Sequence, residues 1–139
     1  EELSENLRIY ILLHPKTAMV LEGMPEIILE STDNLQFISS QNYWDTLKLI
    51  KNSALLLTDS QGLQEESSIL GVQCLTLGSS TNRPITLARG TNTLMGTDVP
   101  GIKTKILAIM DGDRLDGYPI IGWDGKASQR IVKFLSENL

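Results

Sequence analysis

The sequence contains very few cysteine, histidine or aromatic residues. Among 139 residues there is one cysteine, Cys74, and one histidine, His14, and aromatic residues make up 5%. One cysteine cannot form an intrachain disulfide, and together with one histidine it leaves a zinc site short of ligands. We therefore expect no bound metal. Because Cys74 lies in an apolar run, residues 72–77, we expect it to be a buried small hydrophobic residue rather than a reactive thiol.

An excess of positive charge and a long apolar run are also missing. Seventeen acidic against twelve basic residues give a net charge of −5, so the basic surface that nucleic-acid binding requires is absent. No apolar stretch reaches the roughly 20 residues of a membrane-spanning helix, and no secretory signal opens the chain. We expect a cytoplasmic protein with neither nucleic acid nor membrane as a partner. Such an acidic domain can still bind an anion through backbone N–H groups and one or two arginines.

The remaining composition is typical of a globular domain. Hydrophobic residues make up 41% and charged residues 21%, without internal repeats or low-complexity tracts. This length suits one core, so we expect a single domain over residues 1–139, with a mostly aliphatic interior. The polar opening, residues 1–7, has helical character, as though the chain began in the middle of a protein. We interpret the sequence as an excised domain.

Short apolar runs alternate with amphipathic segments along the chain. Strands are expected at residues 8–13, 35–38, 54–57, 74–77 and 92–95, and helices at residues 18–22, 43–52, 63–70, 102–110 and 127–135. This alternation predicts βαβ units, and the unbroken apolar strands are typical of a parallel sheet covered on both faces. The sequence therefore predicts an α/β fold with a Rossmann-like, doubly wound parallel sheet. Ligands of such a sheet bind beyond the carboxyl ends of its strands.

Residues 58–62 follow the third predicted strand and lead into a helix. Ser60 can cap this helix, Gly62 allows a ligand to approach the backbone, and the free N–H groups of the first turn attract phosphate. Glu65 and Glu66 would repel a diphosphate, but about 100° separates them around the helix, so one carboxylate can instead accept hydrogen bonds from ribose hydroxyls. The same residues also suit an ordinary strand-to-helix turn stabilised by a serine cap and an acidic first turn.

Two further polar groups follow the first and fourth predicted strands. His14, fixed by Pro15 at the carboxyl end of the first strand, suits proton transfer or phosphate contact. Arg83, within the small polar segment 78–84, can supply the positive charge that a diphosphate needs. A structural histidine and a solvated loop arginine are the alternative interpretations.

Taken together, these segments resemble the non-hydrolysing UDP-N-acetylglucosamine 2-epimerases. His14 with Pro15 resembles the family's histidine after the first strand, and residues 58–66 resemble its TDSGG-x-QEE signature. Residues 70–72 resemble its LG-x-P/V run, and residues 81–84 resemble its TERP motif. Residues 90–98 resemble its GT-x-x-LVGTD segment, and residues 124–131 resemble its DGKAS-x-RI ending. The matches keep their order along nearly the whole chain. The resemblance implies the C-terminal half of a GT-B-type two-domain enzyme, which holds UDP between two Rossmann-like domains.

The resemblance also implies a reaction and a set of residue roles. His14 would assist catalysis near the β-phosphate, Gln41 and Thr46 would lie at the uracil pocket, Ser60 and the backbone at Gln61 would hold phosphate, Glu66 would bind the ribose hydroxyls, and Arg83 would contact phosphate or sugar. The implied reaction interconverts UDP-GlcNAc and UDP-ManNAc by anti elimination of UDP and its re-addition to a 2-acetamidoglucal, without nicotinamide or metal. The carboxylates that handle the C2 proton belong to the family's N-terminal half, so we expect this chain alone to be inactive. The whole enzyme is expected to be a homodimer that serves polysaccharide biosynthesis.

Several positions depart from the family pattern. Gln61 replaces the first glycine of the DSGG pair, Asn82 the glutamate of TERP, Ile85 a common glutamate and Thr46 an aromatic residue, while Gln36 stands where bacterial relatives often carry a histidine of an activating UDP-GlcNAc site. These departures leave the exact sugar and allosteric activation open. Two alternatives also stay open: half of a GT-B glycosyltransferase, against which the combined QEE, RP and DGKAS pattern argues, and a non-catalytic nucleotide-sugar sensor, which has less need of His14.

Overall fold

A computed structural model describes residues 3–24 and 31–139. The chain divides into two compact units, residues 1–48 and 49–139. Its elements in chain order are β1 (Ile9–Leu13), α1 (Pro15–Glu22), β2 (Leu35–Ser39), α2 (Tyr43–Lys51), β3 (Leu55–Thr58), α3 (Gln61–Leu70), β4 (Gln73–Thr76), α4 (Pro84–Ala88), β5 (Asn92–Leu94), α5 (Val99–Met110) and α6 (Ala127–Asn138). The five strands and five helices expected from residue 8 onward are present, with ends shifted by a few residues.

The opening segment is a turn rather than a helix. The amide of Leu7 donates to the carbonyl oxygen of Leu3 at 3.0 Å, which closes one turn that does not continue. Glu1 and Glu2, with which the expected helical opening starts, lie outside the described residues. One isolated helical turn without a packed apolar face gains too little free energy to extend into a helix, because helix nucleation is costly.

In the first unit, β1 and β2 form a parallel pair. Their register runs from Ile9 opposite Leu35 to Leu13 opposite Ser39. The helix between them begins at Pro15, three residues before the expected start, because proline at the first helical position has a preset φ and loses no hydrogen bond there. The central residues of β1 are 37% to 42% exposed, so this strand is less covered than its apolar sequence predicts.

In the second unit, three parallel strands form a sheet in the order β3-β4-β5. Leu55 lies opposite Gln73, and Cys74 lies opposite Asn92. The middle strand β4 is buried along its whole length, as expected for a strand with a neighbour on each side and helices packed against it. The order of strands and helices confirms the expected α/β class with parallel pairing.

The apolar core of the described residues lies in the second unit. Its buried side chains are Ile50, Val72, Cys74, Leu75, Ile102, Ile106 and Ile109. Three of them recur at helical spacing along α5, so one stripe of this helix faces the interior. Burial raises the pKa of the Cys74 thiol, which keeps it neutral and confirms the expectation of a structural cysteine. None of the helices within residues 3–24 and 31–139 combines the length and apolar character that crossing a bilayer requires.

Helix α4 was not anticipated from the sequence. It has five residues, opens with Pro84 at its first position, and follows a segment that reads as a polar loop. Five residues are too few for a helical period to show. Its residue Thr86 is fully buried, which makes α4 part of the packed structure around β5.

The loop after α5 is tied to the sheet by one amide side chain. Gln73 in β4 is 5% exposed; its Nε2 donates to the carbonyl oxygen of Leu115 at 3.0 Å, and its Oε1 accepts from the Leu115 N–H at 2.9 Å.

Gln73→Leu is expected to lower the free energy of unfolding by about 1–3 kcal/mol, because both hydrogen bonds are lost. Urea denaturation measures this loss. Gln129→Leu, on exposed α6, is the control, with a change below about 0.5 kcal/mol. Equal urea midpoints for Gln73→Leu and Gln129→Leu would show that water satisfies the backbone groups of Leu115 as well as the Gln73 side chain does.

Candidate functional site

The turn between β3 and α3 leaves the start of a helix open. Ser60 occupies the N-cap position with extended backbone angles, φ −72° and ψ 124°, as the sequence predicts. No helix amide bonds to its side chain, and its own N–H donates to Thr58 Oγ1 at 3.1 Å. Because α3 starts two residues earlier than expected, Gln61 and Gly62 belong to its first turn. The Ser60 hydroxyl and the first amides of α3 are thus available to an anion.

Space above the first turn of α3 is also open. A Cβ atom placed on Gly62 would meet no atom of the described residues within 4 Å. The neighbouring Gln61 is exposed, so its side chain is free to move away from the backbone. Among the described residues, no packing contact therefore requires a glycine at this position.

The two glutamates of α3 have different surroundings. Glu65 Oε1 lies 2.6 Å from Arg83 Nε, in an ion pair whose side chains are 35% and 37% exposed. In contrast, Glu66 Oε2 is buried and has no hydrogen-bond partner among the described residues. This arrangement agrees with the expectation that adjacent positions on the helix point the two carboxylates in different directions. Glu65 is committed to a cation, while Glu66 retains free acceptor capacity.

Arg83 is the cation beside this pair of glutamates. Its Nε is buried in the ion pair with Glu65, whose Oε1 lies 2.6 Å away. Its Nη1 donates to the carbonyl oxygen of Asn82 at 3.3 Å. Within the described part of the chain, Glu66 Oε2 is the buried side-chain polar atom that is left with neither a hydrogen bond nor an ion pair. A buried polar atom without a partner costs free energy and calls for an explanation, and a bound ligand is one.

Buried polar side chains connect α3, the 81–83 turn and the sheet. Gln64 and Asn92 are 1% and 2% exposed, and Gln64 Oε1 accepts from Thr81 Oγ1 at 2.6 Å and from Asn92 Nδ2 at 3.4 Å. Asn92 in turn donates to Thr86 Oγ1 at 2.9 Å and accepts from Thr76 Oγ1 at 2.7 Å. In the sequence, Gln64 and Thr81 stand out only as members of the QEE-like and TERP-like motifs. Their role depends on hydrogen-bond partners that are distant in sequence. The motif is therefore the one feature of the sequence that points to these two residues.

The remaining candidates lie in the first unit. His14 caps α1, and its Nδ1 accepts from the Lys16 N–H at 3.3 Å, which leaves Nε2 to carry the proton of the neutral ring. Gln41 is exposed, and its Nε2 donates to the carbonyl oxygen of Ser39 at 2.8 Å. Thr46 is half-buried in α2, with its hydroxyl bonded to the carbonyl oxygen of Asn42 at 3.0 Å. The structure thus groups Ser60, Gln61, Glu66 and Arg83 in the second unit, and His14, Gln41 and Thr46 in the first.

The positions that depart from the family pattern are not core positions. Gln61 and Asn82 are exposed, Ile85 is 39% exposed, and Gln36 and Thr46 are half-buried. Side chains at such positions contribute little to packing. The departures therefore change what the surface presents to a ligand more than they change the fold.

Residues 122–130 form a turn closed by an ion pair at the start of α6. Arg130 Nη1 donates to both carboxylate oxygens of Asp124, at 2.8 and 2.9 Å, and Nη2 donates to the carbonyl oxygen of Gly122 at 2.8 Å. The hydrogen bonds from Arg130 Nη1, with one from the Lys126 N–H, lower the pKa of the Asp124 carboxyl. The DGKAS-like segment thus has a structural role. Within residues 3–24 and 31–139, no group of three or more His, Cys, Asp or Glu is arranged to hold a metal ion.

Two surface depressions lie along α3. One of about 380 Å³ is lined by Ser68, Ile69, Leu70, Gly71, Gly117, Tyr118, Pro119, Ile120 and Trp123. The other, of about 280 Å³, shares Ile69 and Trp123 and reaches Glu65. Neither is lined by Ser60, Gln61 or Glu66, so the open first turn of α3 is a separate feature of the surface.

Comparison with known proteins matches residues 1–136 to the family model described as UDP-N-acetylglucosamine 2-epimerase. A curated relative, the UDP-N-acetylglucosamine 2-epimerase of Methanocaldococcus jannaschii, is 36% identical over 125 residues, which are 89% of this chain and 34% of the relative. The chain therefore spans about a third of the length of the curated relatives it matches.

Solved structures of the same kind of enzyme resemble the chain over almost its whole length. The Methanocaldococcus jannaschii UDP-GlcNAc 2-epimerase in complex with UDP-GlcNAc and UDP has a TM-score of 0.76 and 30% identity, over 98% of this chain and 37% of that one. The Neisseria meningitidis UDP-GlcNAc 2-epimerase bound to UDP-GlcNAc has a TM-score of 0.81 and 27% identity, over 99% of this chain and 38% of that one. This likeness confirms the expected Rossmann-like α/β fold of the GT-B type.

Proposed function

Because this chain belongs to the UDP-N-acetylglucosamine 2-epimerase family, we propose that it is the UDP-binding part of an enzyme that interconverts UDP-GlcNAc and UDP-ManNAc. One observation carries the proposal. Glu66 Oε2 is a buried acceptor without a partner on α3, whose first turn is open, and the adjacent Glu65 holds Arg83 in an ion pair. A ligand that combines hydroxyl groups with an anionic diphosphate offers a donor to Glu66 and an anion to Arg83.

The roles of the second-unit residues follow from their chemistry. Glu66, a carboxyl group with free acceptor capacity, receives the ribose hydroxyls. Arg83, whose guanidinium forms charge-assisted hydrogen bonds with phosphate oxygens, holds the diphosphate together with Ser60 and the backbone N–H of Gln61. The N-terminus of α3 adds the positive end of its dipole. An acidic domain with a net charge of −5 can bind an anion in this way because the positive charge is local.

The roles of the first-unit residues are those that the family resemblance implies. His14, whose Nδ1 is occupied by the Lys16 amide, has Nε2 left for a phosphate or a proton transfer. Gln41, whose Nε2 is bound to Ser39, has Oε1 left as an acceptor for the uracil N–H. Thr46 presents a small side chain beside the base, where an aromatic ring would stack.

In the proposed reaction UDP is first a leaving group and then a nucleophile. The C2 proton is removed, the bond between C1 and the β-phosphate oxygen breaks, and a 2-acetamidoglucal forms; protonation of C2 on the other face and re-addition of UDP give the epimer. Negative charge develops on the diphosphate as the C1–O bond breaks, and Arg83 and the α3 amides stabilise it there. The groups that handle the C2 proton are proposed to lie in the part of the relatives that this chain does not cover, so the chain alone should not turn over substrate.

Two further features belong to the same proposal. As the family resemblance implies, the whole protein is proposed to be a cytoplasmic homodimer that serves polysaccharide biosynthesis. Family membership favours the epimerase over a GT-B glycosyltransferase. A nucleotide-sugar sensor differs from both, because it needs binding but no proton transfer at C2.

The test is turnover of UDP-GlcNAc by the full-length protein in deuterated water. The expected result is UDP-ManNAc with deuterium at C2, because elimination releases the C2 proton and re-addition takes one from solvent. Arg83→Ala should lower kcat, since its interaction strengthens as charge develops on UDP. Binding of UDP-GlcNAc without product and without C2 exchange would identify a sensor and exclude the epimerase. Transfer of the sugar to an acceptor would identify a glycosyltransferase.

Gly62→Ala separates binding from stability. The added methyl group enters open space, so the free energy of unfolding should stay unchanged or rise by up to about 1 kcal/mol, since alanine favours helix over glycine. The same methyl group occupies the face over the first turn of α3, where the diphosphate approaches, so UDP affinity should fall by roughly tenfold or more. Thermal unfolding measures the stability of the variant, and calorimetry of the same sample measures its affinity for UDP. Unchanged UDP affinity would place the phosphates away from Gly62.

A further inference from the structure

The turn that carries Arg83 is held by hydrogen bonds on both sides of that residue. The Arg83 N–H donates to Thr81 Oγ1 at 3.0 Å. The Arg83 carbonyl oxygen accepts from the N–H of Thr86 at 3.0 Å and from its Oγ1 at 2.7 Å. Surface loops are ordinarily mobile because few such bonds restrain them, so this turn is unusually constrained.

Both threonine hydroxyls are connected to one buried amide pair. Thr81 Oγ1 donates to Gln64 Oε1 at 2.6 Å, while Thr86 Oγ1 accepts from Asn92 Nδ2 at 2.9 Å. Asn92 Nδ2 also lies 3.4 Å from Gln64 Oε1. Gln64 is 1% exposed and lies two residues before Glu66 on the rigid frame of α3. The helix that carries Glu66 is thus linked through side chains to the backbone that carries Arg83.

We infer that Thr81 is a positioning residue, whose hydroxyl, bonded to Gln64, fixes Arg83 relative to Glu66. This inference rests on the proposed function, because it assigns Arg83 to the diphosphate and Glu66 to the ribose. A ligand of fixed length between ribose and phosphate is bound best when the two protein groups are already held at the matching separation. Without the Gln64–Thr81 bond, the 81–83 turn gains freedom, and binding must restrict it again.

The Thr81 side chain offers a matched set of variants for this inference. Thr81→Val keeps the shape but removes the hydroxyl, which breaks the bonds to Gln64 and to the Arg83 N–H together. Thr81→Ser keeps the hydroxyl and removes only a methyl group. If Thr81→Val does not fold, Thr81→Ala removes the same hydroxyl without placing a methyl group against the buried amide. Urea denaturation checks the folded state of each variant.

Binding of UDP and of uridine, measured by NMR titration, gives the first readout. Thr81→Val should weaken UDP binding by roughly three- to tenfold, the equivalent of one hydrogen bond, and leave uridine within about twofold. Thr81→Ser should return UDP affinity to within about twofold of the parent protein. In an Arg83→Ala background, Thr81→Val should have no further effect on UDP, since the hydroxyl acts through Arg83. Equal weakening of UDP and uridine, or the same loss of UDP binding without Arg83, would overturn the inference and leave a purely structural role.

Exchange of the Arg83 Nε proton with solvent, measured by NMR on the free protein, gives the second readout. Thr81→Val should accelerate this exchange by roughly tenfold, and Thr81→Ser should not, because the buried position of Nε depends on the turn. Unchanged exchange in Thr81→Val would overturn the inference by itself. If the parent protein bound no UDP, the proposed function would fail, and the exchange measurement would still decide whether Thr81 holds Arg83.

Discussion

Arg83→Ala is expected to weaken UDP binding by roughly ten- to a hundredfold while leaving the affinity for uridine nearly unchanged. The reason is that Arg83 provides charge-assisted hydrogen bonds to the diphosphate, which uridine lacks. Glu66→Ala is expected to weaken UDP and uridine by similar factors, because both ligands carry the ribose hydroxyls that the carboxylate receives. Calorimetry of UDP and NMR titration of uridine measure the two pairs of affinities.

Arg89→Ala is the matched control for these variants. It removes the same charge from an exposed residue at the C-terminal end of α4, so UDP affinity should change by less than about twofold. Equal weakening by Arg83→Ala and Arg89→Ala would mean that UDP responds only to overall charge. A loss of uridine affinity in Arg83→Ala as large as that in Glu66→Ala would contradict the assignment of Arg83 to the diphosphate.

Gly90→Ala is expected to lower the free energy of unfolding by about 3 kcal/mol, at the upper end of overpacking costs. A Cβ atom at Gly90 would lie 2.6 Å from the carbonyl oxygen of Thr86 and even closer to Ser68 Oγ. The Ser68 hydroxyl can rotate away, but Ser68 Cβ, 2.7 Å from the added atom, moves only with α3, and the carbonyl group moves only with α4. Urea denaturation measures the loss.

The control for Gly90→Ala is Gly62→Ala, because both add one methyl group to a glycine with negative φ. The methyl group at Gly62 meets nothing within 4 Å. Stability should therefore fall for one variant and not for the other. A Gly90→Ala protein as stable as the parent would show that α4 can shift without cost, and that Gly90 serves something other than close packing.

The succession of strands and helices was predictable from the sequence because it depends on local periodicity. The apolar runs around β3 and β4 and the isoleucine stripe of α5 are patterns that nearby residues create by themselves. The starts of α1 and α3 were expected too late, because Pro15 and Gln61 carry no apolar signal. The sequence pattern does not predict helix α4 for a similar reason, since its five residues are organised by the burial of Thr86 against β5.

The candidate site was predictable only in part. Motif resemblance selected Glu66 and Arg83, and the structure leaves Glu66 Oε2 buried without a partner and places Arg83 in an ion pair with the neighbouring Glu65. The same resemblance gave no role to Gln64 or Thr81, because their bond joins residues 17 positions apart and depends on how α3 packs beside the 81–83 turn. Likewise, the capping of α1 by His14 depends on the backbone direction after β1, which a single histidine does not reveal.

Calorimetric titration of this chain with UDP, with UMP and ADP as comparators, tests the central claim most directly. The account predicts that UDP binds, that UMP binds more weakly because it lacks the second phosphate held by Arg83 and the α3 amides, and that ADP binds at least about tenfold more weakly because its purine does not fit the uracil site. The absence of UDP binding, or ADP binding as tight as UDP binding, would contradict the claim that this chain carries a UDP site.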